Sequence, residues 1–269
     1  MTLMDDLTLG HQLADTADSI SLRYFSAGSV PTQSKADGSP VTAADHAVEQ
    51  AIRTQLASAR PRDSFVGEEF GGRGNAARRW VVDPIDGTSN FSGGQTEWST
   101  LIAVEEDGEV LTGVITAPAL QRRWWASRST GAWTSTCRAG QLGPREALAV
   151  TETETLDKAT AAMWPIAARV PSQRLAAATT LIAQCAGGGP LSNWAGVCQG
   201  AMLVAAGAAD AFLHLTADPW DIAAAVPIVE EAGGRFSDPQ GGRSISLGAA
   251  VFTNGRIHDE VLVLLGREG

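Results

Sequence analysis

The stretch that most limits what this chain can become is Trp80-Val81-Val82-Asp83-Pro84-Ile85-Asp86-Gly87-Thr88-Ser89-Asn90-Phe91. Its apolar start, Trp80 to Val82, predicts a short buried strand with an acid at its carboxyl end. Pro84 is expected to stop that strand, and Gly87 to allow a tight turn before a helix start near Thr88–Asn90. A turn between Asp83 and Asp86 lets the two carboxylates converge on one point. Hard divalent cations take oxygen ligands, and this segment supplies Asp83, Asp86 and the Ile85 carbonyl. Backbone N–H groups of Gly87 and Thr88 at a helix start would suit a phosphate. One segment thus offers both halves of a metal–phosphate site.

Composition narrows the partners. In 269 residues, 44% hydrophobic and 19% charged content describe a chain able to bury a large core. A formal charge of −10, with Lys35 and Lys158 the only lysines, argues against nucleic-acid or anionic-membrane surfaces. An anionic substrate would then need local positive charge, which a metal cluster provides. Cys137, Cys185 and Cys198 form no C-x-x-C pair and read as reduced thiols. Neither a basic-then-apolar leader nor an uninterrupted apolar span is evident, so a cytoplasmic protein is expected.

Asp83-Pro84-Ile85-Asp86-Gly87-Thr88 resembles the signature of the inositol monophosphatase family of Mg²⁺-dependent, typically lithium-sensitive phosphatases. Gly67-Glu68-Glu69 upstream resembles a second family motif. Trp220-Asp221-Ile222-Ala223-Ala224-Ala225, followed by Glu231-Ala232-Gly233-Gly234, resembles a third. Three motifs in the family's order, over nearly the whole chain, are far more specific than a lone D-x-x-D-G. The resemblance implies an α/β fold, the layered αβαβα sandwich of the inositol monophosphatase/fructose bisphosphatase type. An α+β part would span 1–143 and an α/β part 144–269, with the polar stretch Gly140 to Glu146 as the boundary. It also implies a homodimer.

Residue by residue, the resemblance assigns Glu68, Asp83, the Ile85 carbonyl, Asp86 and Asp221 to two or three Mg²⁺ ions. Glu68 and Thr88 would activate water, while Asp86, Gly87, Thr88 and Asp221 would meet the substrate. Lys35, Thr42 and Asp45 match a K…T-x-x-D pattern. Lys35 would lie on a loop covering the metals and Asp45 would support Thr88. Substrate-contacting positions fall on Ala195, Val197 and His214, where an inositol site would place a glutamate at the last; Glu97 is a substitute acidic partner. The segment Ala117-Pro118-Ala119-Leu120-Gln121-Arg122-Arg123-Trp124-Trp125-Ala126 resembles the actinobacterial histidinol-phosphate phosphatase branch. The implied activity is hydrolysis of a small phosphate monoester, histidinol phosphate or inositol 1-phosphate. A 3′(2′),5′-bisphosphate nucleotide phosphatase and a non-catalytic binding protein are the alternatives.

Periodicity predicts helices over about 5–25, around Val48, Ile52, Leu56 and Ala59, over 174–185, 197–206 and 257–265, and from Asp221 to Gly233 with a kink at Pro227. Strands are expected at 98–104, 110–117, 122–126 and 211–215, with Asp107-Gly108 as a hairpin turn. Residues 33–40 and 71–75 read as loops, and 187–190 as a helix-breaking run. A strand through Phe65–Glu69 would send Glu68 and Glu69 to opposite faces.

Overall fold

The computed structural model describes residues 2–28, 30–36, 38–164, 169–190 and 198–266. In chain order the elements are α1 (Leu3–Ser26), β1 (Thr32–Ser34), β2 (Pro40–Thr42), α2 (Ala43–Ala59), β3 (Ser64–Gly67), β4 (Gly71–Arg73), β5 (Arg78–Asp86) and α3 (Thr88–Ser92). Next come β6 (Ser99–Glu106), β7 (Glu109–Ala117), β8 (Arg122–Ser127), β9 (Ala132–Arg138), β10 (Gln141–Leu142) and β11 (Glu146–Ala147). The remainder comprises β12 (Thr160–Trp164), α4 (Ser172–Gln184), β13 (Gly187–Pro190), α5 (Cys198–Ala205) and β14 (Ala211–His214). It ends with α6 (Pro219–Ile222), α7 (Ala225–Glu231), β15 (Arg235–Ser237), β16 (Ala250–Thr253) and α8 (His258–Leu264).

A nine-stranded sheet runs β10-β9-β8-β7-β6-β5-β3-β4, with β11 also pairing β9. A five-stranded sheet runs β13-β12-β14-β16-β15. Side-chain alternation explains how they layer. On β5, Trp80 and Val82 point to one face and pack under Leu13 and Ala17 of α1 and Val48, Ile52 and Leu56 of α2. Val81 points the other way, with Leu101 and Ala103 of β6, toward α5 and α7. The second sheet is buried on both faces: Phe212 of β14 joins that middle layer, while Ala211 and Leu213 face α4 and α8. The order is therefore helix, sheet, helix, sheet, helix, which is the αβαβα sandwich expected.

Several local expectations give way. Gln33, Ser34 and Pro40 pair within the β1–β2 hairpin, with Gln33 opposite Val41. Gly71–Arg73 pairs antiparallel to β3, and Gly187–Pro190 pairs parallel to β12; both glycine-rich runs become edge strands because a neighbouring ladder claims their backbone. Within the polar stretch after Gly140, Gln141–Leu142 and Glu146–Ala147 each pair with β9. Ala59 is exposed while Val48, Ile52 and Leu56 are buried. No kinked helix follows Asp221: the chain makes two short helices, and Pro227 lies in the first turn of α7, where its missing N–H costs no intrahelical bond. The Asp107-Gly108 turn is as expected, with φ of 52° and 82° joining β6 to β7.

Candidate active site

Strand β5 carries the central acids. It does not stop at Pro84. Asp83 pairs with Leu101 and Asp86 with Ser99, and the ladder slips register between them, so Pro84 sits where no ladder N–H is required. The Pro84 carbonyl instead accepts the Thr100 hydroxyl at 2.8 Å. Gly87 then takes φ 85°, a left-handed conformation that a residue with a Cβ adopts only under strain, and α3 begins at Thr88. The slip and this turn leave Asp83, Asp86 and Thr88 buried together.

Thr88 Oγ1 donates toward Asp45 Oδ1 at 3.2 Å and lies 3.1 Å from the Ile85 carbonyl. Asp45 is held in turn as the third residue of the α2 capping box: its Oδ2 accepts the Thr42 amide at 2.9 Å and the Thr42 hydroxyl at 2.5 Å. Asp221 occupies the equivalent place in α6, where its Oδ2 accepts the Asp218 amide at 2.8 Å.

Glu68 and Glu69 do not point to opposite faces. Strand β3 ends at Gly67, both residues lie in the turn beyond it, and Lys35 Nζ reaches Glu68 Oε1 at 2.6 Å and Glu69 Oε1 at 2.7 Å. Lys35 is thus on the β1–β2 hairpin directly against the acids. Burial opposes its charge, but the two carboxylates outweigh that and hold its pKa above the ordinary lysine value. His46 has Nε2 3.8 Å from Glu69 Oε2.

The acids act on one another. Burial, then the charges of Glu68, Asp86 and Asp221, pushes the Asp83 carboxyl well above the usual range. Burial likewise raises Asp221 against the pull of the Asp218 amide, with Asp86 and Glu68 adding to it. Glu68 is raised by burial while Lys35 pulls it down, and a hydrogen bond with Asp83 lowers it further. Asp83 Oδ1 is buried without a hydrogen-bond partner. Among the described residues no three Asp, Glu, His or Cys side chains form a closed ligand set as they lie. The donor chemistry nevertheless fits a hard cation: oxygen-only groups that raise one another's pKa, one of them with a buried oxygen lacking a hydrogen-bond partner.

The substrate-side positions are less gathered. Ala195 and Val197 fall outside the described residues. His214 ends β14, buried, with its ring 5.9 Å from Phe212 and its pKa lowered by burial to about 3, so it presents a neutral imidazole. Glu97 is half-buried, and its carbonyl accepts the Asn90 side chain at 3.1 Å. Sequence reasoning missed Glu49. Fully buried on α2, it accepts the Glu69 amide at 2.7 Å and the Phe70 amide at 3.1 Å. An acid one turn after Asp45, on the same stripe as Val48 and Ile52, was the available signal.

Fold and site together define a phosphoric monoester hydrolase. The family model described as "Inositol monophosphatase family" matches residues 5–265, and the chain belongs to that family of metal-dependent phosphatases. The histidinol-phosphatase of Streptomyces coelicolor is 39% identical over 272 residues, covering 98% of each chain. The histidinol-phosphatase of Mycobacterium tuberculosis is 40% identical over 264 residues, covering 97% of this chain and 98% of that one. An inositol monophosphatase from Zymomonas mobilis superposes with a TM-score of 0.82 at 32% identity, covering 98% of this chain and 99% of that one. No helix among the described residues is long and apolar enough to cross a membrane.

Proposed function

We propose that this chain is a Mg²⁺-dependent phosphatase that hydrolyses a small phosphate monoester, with histidinol phosphate favoured over inositol 1-phosphate. The observation that carries the reading is the buried convergence of charge on Asp83, whose Oδ1 has no protein partner, beside the Thr88–Asp45 pair. Glu68, Asp83, Asp86, Asp221 and the Ile85 carbonyl would hold two or three Mg²⁺, which supply positive charge for the phosphate oxygens and acidify the attacking water.

The chain's own groups orient and deprotonate. Thr88 donates its hydroxyl proton toward Asp45 or the Ile85 carbonyl, so its oxygen lone pair is left to accept a hydrogen bond from water. The Glu68 carboxylate takes the water's other proton as the oxygen attacks phosphorus; the P–O bond to the alcohol breaks, and the leaving oxygen takes up a proton. Gly87 and Thr88 amides receive the phosphate oxygens. Lys35, bridging Glu68 and Glu69, keeps the attacking side of the site closed by the β1–β2 hairpin.

Two observations support histidinol phosphate. The relatives at about 40% identity carry that activity in their names. His214 stands where the family resemblance would put an inositol-binding glutamate, and a neutral imidazole against Phe212 suits an aromatic substrate ring better than a polyol. The working form would be a homodimer in the cytoplasm, with Ala195, Val197 and Glu97 at the substrate end. The test is phosphate release from histidinol phosphate, inositol 1-phosphate and adenosine 3′,5′-bisphosphate, each with Mg²⁺ or with EDTA. Fastest release from histidinol phosphate, abolished by EDTA, is expected. Preference for the bisphosphate would replace the substrate, and no release from any ester would leave a binding protein on the same fold.

A further inference from the structure

We propose that Glu49 is a positioning residue for the Glu68 carboxylate, so that α2 holds both parts of the water-activating pair. This rests on the reading of Glu68 as a metal ligand and base. The Glu69 amide that Glu49 Oε2 accepts at 2.7 Å belongs to the peptide bond immediately after Glu68, and fixing that plane fixes one backbone torsion of Glu68. On its other side, the Glu68 amide donates to the Val82 carbonyl at 3.3 Å, next to Asp83 on β5. Glu68 is therefore clamped before and after its Cα, and only its side-chain torsions remain free.

The clamp is built at a cost that a merely structural turn would not need. Glu49 is 0% exposed, and a buried carboxylate is tolerated only when its oxygens are satisfied. Its Oε1 accepts the Phe70 amide at 3.1 Å and lies 3.3 Å from Arg53 Nη1, which also donates to the Gly71 carbonyl at 3.0 Å. The Arg53 guanidinium is itself held 4.7 Å from the centre of the Phe65 ring. Gly67 must lack a side chain for this to assemble, since a Cβ there would lie 2.4 Å from the Glu49 carboxyl. Asp45 and Glu49, both 0% exposed, are one helical turn apart on α2: the first reaches Thr88, the second the turn carrying Glu68.

The experiment compares Glu49→Gln, Glu49→Ala and Leu56→Ala. The last removes a buried apolar group from the same helix without touching the turn. Mg²⁺ and Mn²⁺ affinities are read by titration calorimetry well below each variant's Tm, alongside amide hydrogen exchange at Glu69 and Phe70. Metal affinity about 10–100-fold weaker in the Glu49 variants, with faster exchange at those two amides, is expected; Leu56→Ala should keep its affinity whatever its loss in Tm. If Glu49→Ala does not fold, the isosteric Glu49→Gln carries the test, because its NH₂ group faces a donor where an acceptor is needed. Unchanged affinity in the folded Glu49 variants, or an equal loss in Leu56→Ala, overturns the proposal. Failure of the underlying reading looks different: the unaltered protein would bind no metal, and Glu68→Gln would leave phosphate release unchanged.

Discussion

Thr88 and Asp45, 43 residues apart in sequence, meet at 3.2 Å between hydroxyl and carboxylate inside the core. The contact costs the burial of an acid that α2 already uses to cap its own first turn. Thr88→Val should fold, keep its metal affinity, and lose about 10²-fold in kcat, the order expected when a reacting group is misplaced. Thr88→Ser should recover most of the rate. Steady-state kinetics on the best ester with calorimetric Mg²⁺ titration check this; equal loss in the Ser and Val variants would remove Thr88 from the mechanism.

Asp83→Asn should separate stability from activity. An orphaned carboxylate oxygen surrounded by three other acids destabilises the metal-free fold, so neutralising it should raise stability in EDTA by about 1–3 kcal/mol. Phosphate release should fall by more than about 100-fold, beyond what loss of a supporting contact costs. Denaturant melts in EDTA and a phosphate assay give the two readouts.

Stability of the metal-free protein should decline as pH rises above about 6.5. Asp83 and Asp221, raised by burial and neighbouring acids, and Glu69, raised by burial to about 7 against the pull of Lys35, keep protons in the fold that the unfolded chain has released. Their contribution therefore declines as pH rises from about 4 through the folded values. Burial lowers His11 to about 4, His214 to about 3 and His258 to about 4, so below about 6.5 the unfolded chain takes up protons first and the histidines oppose the slope set by the acids. Above that pH only the acids still act. Mg²⁺ should abolish the decline above about pH 6.5; thermal melts from about pH 6.5 to 8.5, with and without Mg²⁺, measure it, and an equal decline in both would remove the acids as its source.

Gly113→Ala should disturb the Asp221 end of the site from a distance. A Cβ on β7 at this position would lie 2.1 Å from the Ala224 carbonyl and 3.0 Å from Pro227 Cγ, forcing the α6–α7 junction away from the sheet. A loss of about 1–3 kcal/mol is expected from the overpacking, with weaker Mg²⁺ binding because Asp221 moves with α6. A denaturant midpoint and a calorimetric titration test the pair; lost stability with unchanged affinity would show that α6 is held independently.

Much of this was legible in the residues. Strands β5 to β8 announce themselves by apolar runs, and helices α1 and α2 by their buried stripes. What was not legible depends on partners. Gly187–Pro190 reads as a breaker, yet a Cβ on Gly188 would sit 1.7 Å from the Ala161 carbonyl: the glycine is what lets a parallel strand approach. The apolar period runs unbroken from Ile222 to Val229, so nothing local marks the break that spares Pro227 its kink. The shared side of Glu68 and Glu69 follows from β3 ending at Gly67, where a missing side chain leaves room for Glu49 of another element.

Asp83 and Asp86 ride on the nine-stranded sheet and Glu68 on the turn after β3, whereas Asp221 comes from α6, which follows β14 of the other sheet and packs against β5. On the proposed ligand set the site is a seam, and a cation seated there would work as a rivet. Splitting the gene between the two sheets would leave neither fragment with a full set of ligands, and remixing the fragments should restore tight ion binding only as they re-associate.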